Sequence, residues 1–355
     1  MSGRVRPRVR VYHQVRTAHL ERAAQLPPAA ILFANKRYDF ADELAHGLEL
    51  VPARGWRSAW WLLRNPAEVV EVNEPLMLPA ARSTAAALCG LGLSRLAGRP
   101  RTRVVSYAIE NRDPTPRPVQ AGLRRRLAHR LDLALARRIW RRVDRIAYGT
   151  QAAQDLYAAR LPAAQSPQQT LVWALPAPVA EAVTKVAGQV LFLGAFTDRK
   201  GFSLLARAWP LVRAAMPDAT LQLIGKGRLL DVAERLATED PRVRLLVDPP
   251  RQLIKGELAR SQVLVLPSQP TSTWREQVGL PIVEGLSYGC TIVTTTETGL
   301  AGWLSEHQHR VLPADANETE LAAAITDALR RPVLRVRDPL PAEDGRLTAD
   351  AWMFG

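Results

Sequence analysis

The sequence predicts an α/β protein built from two doubly wound domains. Three observations lead there. From Gln189 to Arg330, short apolar runs rich in Val, Ile and Leu alternate with helix-length segments. Such alternation argues for a parallel sheet covered on both faces. A looser alternation of the same kind runs from Arg8 to Gly149. The length, 355 residues, and a hydrophobic content of 47% suit two cores rather than one. The expected domains are residues 1–180 and 181–331, with a hinge near 181–188. The tail, 332–355, either crosses back to the first domain or frays.

Taken in order, Arg8 to His13 alternates as a strand and gives way to a helical stretch from Ala18 to Gln25. Short apolar runs at Ala30 to Ala34, Val69 to Val72 and Val104 to Ala108 read as buried strands. An Ala/Leu helix is expected between Ala80 and Ala97. Trp56, Trp60 and Trp61 cluster. They are expected in the core, with an acceptor groove or a membrane interface as the alternatives. The strand from Val104 runs into Ile109-Glu110-Asn111-Arg112-Asp113, and polar groups at the carboxyl end of a parallel strand are placed for ligand contact. Glu110 is the candidate site residue there, the alternative being a loop carboxylate paired with Arg112.

From Gln120 to Ile146 the chain is strongly basic. Leu123, Leu127, Leu131, Leu135, Ile139 and Val143 recur every fourth residue, with nine arginines on the other faces. The spacing predicts an amphipathic helix, leucines inward and arginines toward anionic lipid. Arg145 to Gly149 should be the last strand of the first domain, with a helix from Gln151 to Arg160, a loop from Leu161 to Gln169 and a short strand from Leu171 to Val179.

The second half is more regular. Strands are expected at Val190 to Gly194, Thr220 to Ile224, Val243 to Val247, Val263 to Leu266 and Thr291 to Thr295. Helices are expected at Gly201 to Ala214, Leu229 to Ala237, Gln252 to Arg260, Pro281 to Tyr288 and Glu318 to Arg330. The stretch from Val263 to Thr296 stands out. A buried strand enters a polar loop that delivers Glu276, then Gly279-Leu280-Pro281, then a helix carrying Glu284. Pro281 suits a first helical turn, where its missing N–H would be unpaired anyway. The amides around Gly279, Leu280 and Ile282 then form an anion site at the positive helix end. Carboxylates beside a phosphate make sense as acceptors for sugar hydroxyls; the alternative is that both are solvated surface acids.

Glu276 and Glu284, seven residues apart within Glu276-Gln277-Val278-Gly279-Leu280-Pro281-Ile282-Val283-Glu284, resemble the E-x7-E signature of retaining glycosyltransferases with the GT-B fold. Leu191 to Trp209 and Thr220 to Gly227 are similar to that family's preceding strand, lysine-glycine helix start and glycine turn. The resemblance covers roughly residues 189–330. It implies a GT-B fold, two Rossmann-like domains facing a cleft, and transfer of a hexosyl unit from a nucleotide diphosphate sugar with retention. It implies that Glu276 meets hydroxyls of the transferred sugar and Glu284 the ribose. Gly279 and Leu280 would offer amides to the phosphates, and Lys200 would neutralise them, with Arg199 a substitute second cation. The acceptor would be a glycan, a lipid-linked glycan or a small molecule. Two departures are visible: Ala195 stands where relatives carry an arginine, and Val11 to Gln25 contains no glycine where relatives have a glycine-rich loop. They keep open a catalytically inactive binding or scaffold subunit; a sugar-nucleotide epimerase is the other alternative.

Composition bounds the rest. Net charge is +14, placed as +15 in residues 1–150 (27 Lys+Arg, 12 Asp+Glu) and −1 beyond (21 and 22). The excess points to anionic partners or to the coding bias that abundant Ala, Arg, Leu and Pro suggest. Only Trp140 interleaves the arginines from 120 to 146, so no nucleic-acid stacking platform is expected. Cys89 and Cys290 are the two cysteines, which fits a reducing compartment. No signal peptide is expected, and the apolar stretch from Thr84 to Ala97 is too short to span a bilayer. The expected location is cytoplasmic, peripheral on the inner membrane face. Gly225-Lys226-Gly227 is no P-loop, Gly90-Leu91-Gly92 no dinucleotide fingerprint, and His307 and His309 lack further metal ligands. No metal or cofactor is expected.

Overall fold

The computed structural model describes residues 6–37, 40–116, 122–163, 167–181, 183–271, 274–331 and 339–355. Residues 120 and 121 of the basic segment, parts of the expected loop after Leu161 and of the hinge, and 332–338 of the tail lie outside these. The chain divides into two compact units, residues 1–173 with 346–355, and residues 174–345.

The first unit contains β1 (Arg6–Val15), α1 (Thr17–Ala23), β2 (Ala30–Lys36), β3 (Leu50–Pro52), α2 (Trp56–Arg64), β4 (Ala67–Val72), α3 (Leu78–Leu96), β5 (Arg103–Ala108), α4 (Leu123–Trp140), β6 (Arg145–Tyr148), α5 (Gln151–Arg160) and β7 (Gln168–Leu171). Its seven strands are all parallel, in the order β3-β2-β1-β4-β5-β6-β7. Strand period two splits the sheet chemically. Val9, Val11, Val70, Val72 and Val104 enter one apolar core with residues of α2 to α5. The opposite face carries Val69 and Val105 against Ala349, Met353 and Phe354, and also buries Arg10 and Glu71.

The second unit contains β8 (Val186–Leu193), α6 (Phe202–Ala215), β9 (Thr220–Ile224), α7 (Leu230–Glu239), β10 (Val243–Leu246), α8 (Arg251–Arg260), β11 (Ser261–Leu266), α9 (Leu280–Ser287), β12 (Thr291–Thr295), α10 (Ala301–Glu306), β13 (Arg310–Leu312) and α11 (Glu318–Arg330). Its six parallel strands run β10-β9-β8-β11-β12-β13. Numbered within the unit this is 3-2-1-4-5-6, the order of a dinucleotide-binding doubly wound sheet, whose ligands lie beyond the carboxyl ends of the strands. Asn317 and Glu320 close a capping box at the start of α11. The last helix, α12 (Gly345–Phe354), belongs with the first unit from Arg346 on.

Three expectations need correction. Trp56 and Trp60 are not core: they are 70% and 54% exposed, and only Trp61 packs against the core. In α4, Leu123, Leu127 and Leu131 are exposed, whereas Ile139 is buried and Leu135 packs against the core; Val143, also buried, lies beyond the helix, which ends at Trp140. Periodicity says which side chains share a face; it does not say whether a neighbour covers that face. The strand expected after Leu171 instead ends there, as β7. Elements too short to show a period, β3, α10 and β13, were not expected at all.

Candidate functional site

The loops at the carboxyl ends of β8 and β11 meet in the second unit. Gly201 is left-handed (φ 73°), and a Cβ on it would lie 1.9 Å from the carbonyl oxygen of Pro267. Only glycine allows that approach. The Gln269 amide donates to the Arg199 carbonyl at 3.0 Å. This stitching brings the Lys200 ammonium into direct contact with the Glu276 carboxylate. Ser268 donates a hydroxyl hydrogen bond to the same carboxylate at 3.2 Å. Both side chains of the pair are largely buried.

Gly279 caps α9 at φ 81°, with Pro281 in the first turn. The Glu276 side chain lies against Gly279, its Cγ 3.4 Å from where a Cβ would stand. First-turn amides have no acceptor within their own helix. The α9 amino end, Glu276 and Lys200 therefore form one cluster, with Leu280 half-exposed beside it. Glu284, one turn into α9, pairs with Arg251 at 2.6 Å. Arg251 opens α8, directly after β10. Glu284 thus faces the β10–α8 connection, while Glu276 faces the β8–α6 connection.

Arg199 is held by an aromatic neighbour. Its guanidinium lies over the Trp274 ring at 4.1 Å, and the Lys200 ammonium is 5.2 Å from the same ring. One indole gathers both cations. Sequence reading passed over Trp274, although a single aromatic two residues before Glu276 in a polar loop was the available signal. It also passed over Arg251, for which the sequence offers no signal apart from its position at a helix start after a strand.

Glu110 lies in the first unit, in the loop after β5. Its carboxylate accepts the Arg112 amide at 3.0 Å, and its own amide donates to Glu74 at 3.0 Å. Glu74 is buried and also accepts from the Ile109 amide and the Tyr157 hydroxyl. Burial, reinforced by the Glu110 charge, pushes the Glu74 carboxyl up to about 8. Glu74 is a buried carboxylate at the end of β4, missed although the reasoning that singled out Glu110 applies to it equally. Among the described residues no group of three or more His, Cys, Asp or Glu could hold a metal. His309 is a structural residue: its Nδ1 accepts the Ile292 amide at 3.0 Å, and burial holds its pKa down to about 4. No helix among the described residues is long and apolar enough to cross a membrane.

Residues 187–331 match the family described as Glycosyl transferases group 1. The chain is 30% identical over 171 residues to a phosphatidyl-myo-inositol mannosyltransferase of Propionibacterium freudenreichii subsp. shermanii, which spans 45% of this chain and 38% of that protein. It is 31% identical over 115 residues to a GDP-mannose-dependent monoacylated alpha-(1-6)-phosphatidylinositol monomannoside mannosyltransferase of Corynebacterium glutamicum, covering 29% of this chain and 30% of that one. The chain thus matches less than two-fifths of the length of these curated relatives. Among solved structures, WaaG, a glycosyltransferase involved in lipopolysaccharide biosynthesis, aligns with a TM-score of 0.62 at 14% identity over 97% of this chain and 99% of that one. Anabaena HepE in complex with UDP-glucose gives 0.65 at 14% identity over 97% and 94%. The fold is therefore that of GT-B glycosyltransferases, two doubly wound Rossmann-like units, and the second unit carries the match to Glycosyl transferases group 1.

Proposed function

We propose that the protein is a retaining glycosyltransferase that moves a hexosyl unit from a nucleotide diphosphate sugar to a glycan, lipid-linked or small-molecule acceptor. The observation that carries the reading is the convergence of Lys200, Glu276 and the glycine-capped amino end of α9. It lies in the segment that matches the family. Amides and an ammonium suit a diphosphate, and carboxylates suit hydroxyls. In this reading the α9 amides at Gly279 and Leu280, with Lys200 and Arg199, hold the diphosphate. Glu276 accepts hydrogen bonds from the transferred sugar and Glu284 from the ribose. Trp274 keeps the two cations together.

The reaction breaks the bond between the anomeric carbon and the diphosphate oxygen. The acceptor oxygen bonds to the same face of that carbon. Its proton passes to the departing phosphate oxygen, and the leaving charge is stabilised by Lys200 and the helix end. These groups supply the charge compensation, so the proposal requires no metal. Glu110 belongs to the acceptor side, its loop held by Glu74. The exposed leucines and arginines of α4 suit a peripheral position on an anionic, cytoplasmic membrane surface.

Glu276→Ala and Lys200→Ala are expected to lower the transfer rate about a hundredfold or more with the circular-dichroism spectrum unchanged. Wild-type rates in both would overturn the assignment. Ala195 favours one other reading, an inactive binding subunit, which predicts that the wild-type protein binds a nucleotide sugar but neither transfers nor hydrolyses it.

A further inference from the structure

In the first unit, on the face built by α2, α3 and α4, lies a pocket of about 560 Å³. Its residues His13 and Ala34 come from the carboxyl-terminal halves of β1 and β2, the end at which doubly wound sheets bind ligands. The walls are apolar, with Trp56, Leu131 and Leu135 on two sides and Ala85 and Ala86 of α3 between. Leu131 continues outward along α4 into Leu127 and Leu123, both more than half exposed. An apolar track thus leads from the surface into the pocket.

Two polar groups of the lining lie close to each other. Arg54 and His13 both line the pocket, and burial, reinforced by the Arg54 charge, holds the His13 imidazole below its ordinary pKa. His13 is therefore neutral near pH 7 and can donate one N–H. Its Nδ1 is buried and has no hydrogen-bond partner among the described residues. Arg82, also on the rim, is paired with Asp132 at 2.7 Å, whereas Arg54 joins no ion pair among the described residues. An orphaned imidazole nitrogen beside an uncompensated guanidinium calls for an anion.

We infer that this pocket binds a single-chain anionic amphiphile, its hydrocarbon tail against Trp56, Leu131 and Leu135 and its head at Arg54 and His13. Neither half of the pocket explains the other's ligand alone: a free anion gains nothing from the apolar track, and a neutral hydrocarbon leaves Arg54 and His13 unanswered. As the acceptor, such a molecule would narrow the substrate class to lipid-linked anionic acceptors. That role rests on the glycosyl-transfer reading; the binding itself does not.

The test is binding of dodecyl phosphate to the full chain by isothermal calorimetry, below the micelle concentration, with no transfer measured. Saturable one-to-one binding is expected. Inorganic phosphate and a neutral dodecyl glycoside should each bind at least about tenfold more weakly, since one charge-assisted contact or one buried tail is worth that much. Arg54→Ala should weaken dodecyl phosphate about tenfold and leave the dodecyl glycoside unchanged. Ala85→Trp should fill the pocket and weaken both. Equal binding of inorganic phosphate, or unchanged binding in both variants with the wild-type spectrum, would overturn the proposal. So would binding of anionic phospholipid vesicles with none of monomeric dodecyl phosphate, because that describes a surface contact without a pocket. Because no transfer is read, these outcomes leave the donor-site assignment to be judged by its own variants.

Discussion

The two units share a strand order and differ in what they bury. The buried strand residues of the second sheet are apolar or uncharged: Val, Ile, Leu and Phe, with Gln189, Gln222, Gln262 and Thr294 among them. The first sheet buries a charge network on one face. Arg10 contacts Glu71 and lies 2.7 Å from Asp350, and Arg346 of the last helix contacts the same Glu71. The first unit also leaves apolar side chains in the open, at Trp56, Trp60 and the first half of α4. One topology is therefore compatible with two distributions of polarity. The unit with the inverted distribution is the one that carries the chain's excess positive charge.

The largest expected effect comes from the buried network. Glu71→Ala should destabilise the protein by about 3–5 kcal/mol in urea denaturation, because two buried guanidinium groups lose their shared carboxylate. A cost under about 1 kcal/mol would mean that water reaches this face and that the two sheets are less different than they look. Next is Gly201→Ala in the second unit, where the added Cβ meets the Pro267 carbonyl at 1.9 Å in a left-handed conformation. A loss of about 3 kcal/mol is expected. Gly302→Ala, whose Cβ would meet nothing within 4 Å, is the control and should be neutral or slightly stabilising.

A smaller effect concerns pH. The Glu74 carboxyl is held at about 8 against an ordinary 4.5, by burial first and by the facing Glu110 second. The folded protein keeps a proton that the unfolded chain has already released above about pH 4.5. The stability contributed is whole below that pH and is lost as pH rises toward about 8. Glu74→Gln should flatten the stability profile across this window; an unchanged slope would place the titration elsewhere. The smallest effect is Leu127→Ser in α4. It should change stability by less than about 0.5 kcal/mol, since the residue is exposed. Ile139→Ala, about three turns further along the same stripe but buried, should cost about 2–5 kcal/mol. Equal costs would mean that the stripe is covered along its whole length.

Legibility in the sequence followed the same division. Thr220 to Ile224, Thr291 to Thr295 and Glu318 to Arg330 were located to the residue. Both strands are short, β-branched-rich runs buried along nearly their whole length, and Asn317 with Glu320 marks the start of the helix. The Glu276, Gly279 and Glu284 constellation was legible because it lies within one continuous strand–loop–helix. Glu74, Trp274 and Arg251 were not, since each gains its meaning from a partner far away or in another element: Glu74 from Glu110, Trp274 from Arg199, Arg251 from Glu284. In the first unit, Arg10 and Glu71 broke the apolar pattern of β1 and β4, and no local rule says that two opposite charges on neighbouring strands will neutralise each other.

Period, composition and turn chemistry by themselves determined the α/β class, the two-part organisation and the loop with its two carboxylates, because each of these depends on residues close together along the chain. Tertiary structure alone decided the rest. It set Lys200 against Glu276, joined Arg346 to Glu71, and left Leu123, Leu127 and Leu131 uncovered while Ile139 was buried. Those outcomes depend on which surfaces meet, and burial and charge compensation are properties of pairs of surfaces that no single segment encodes.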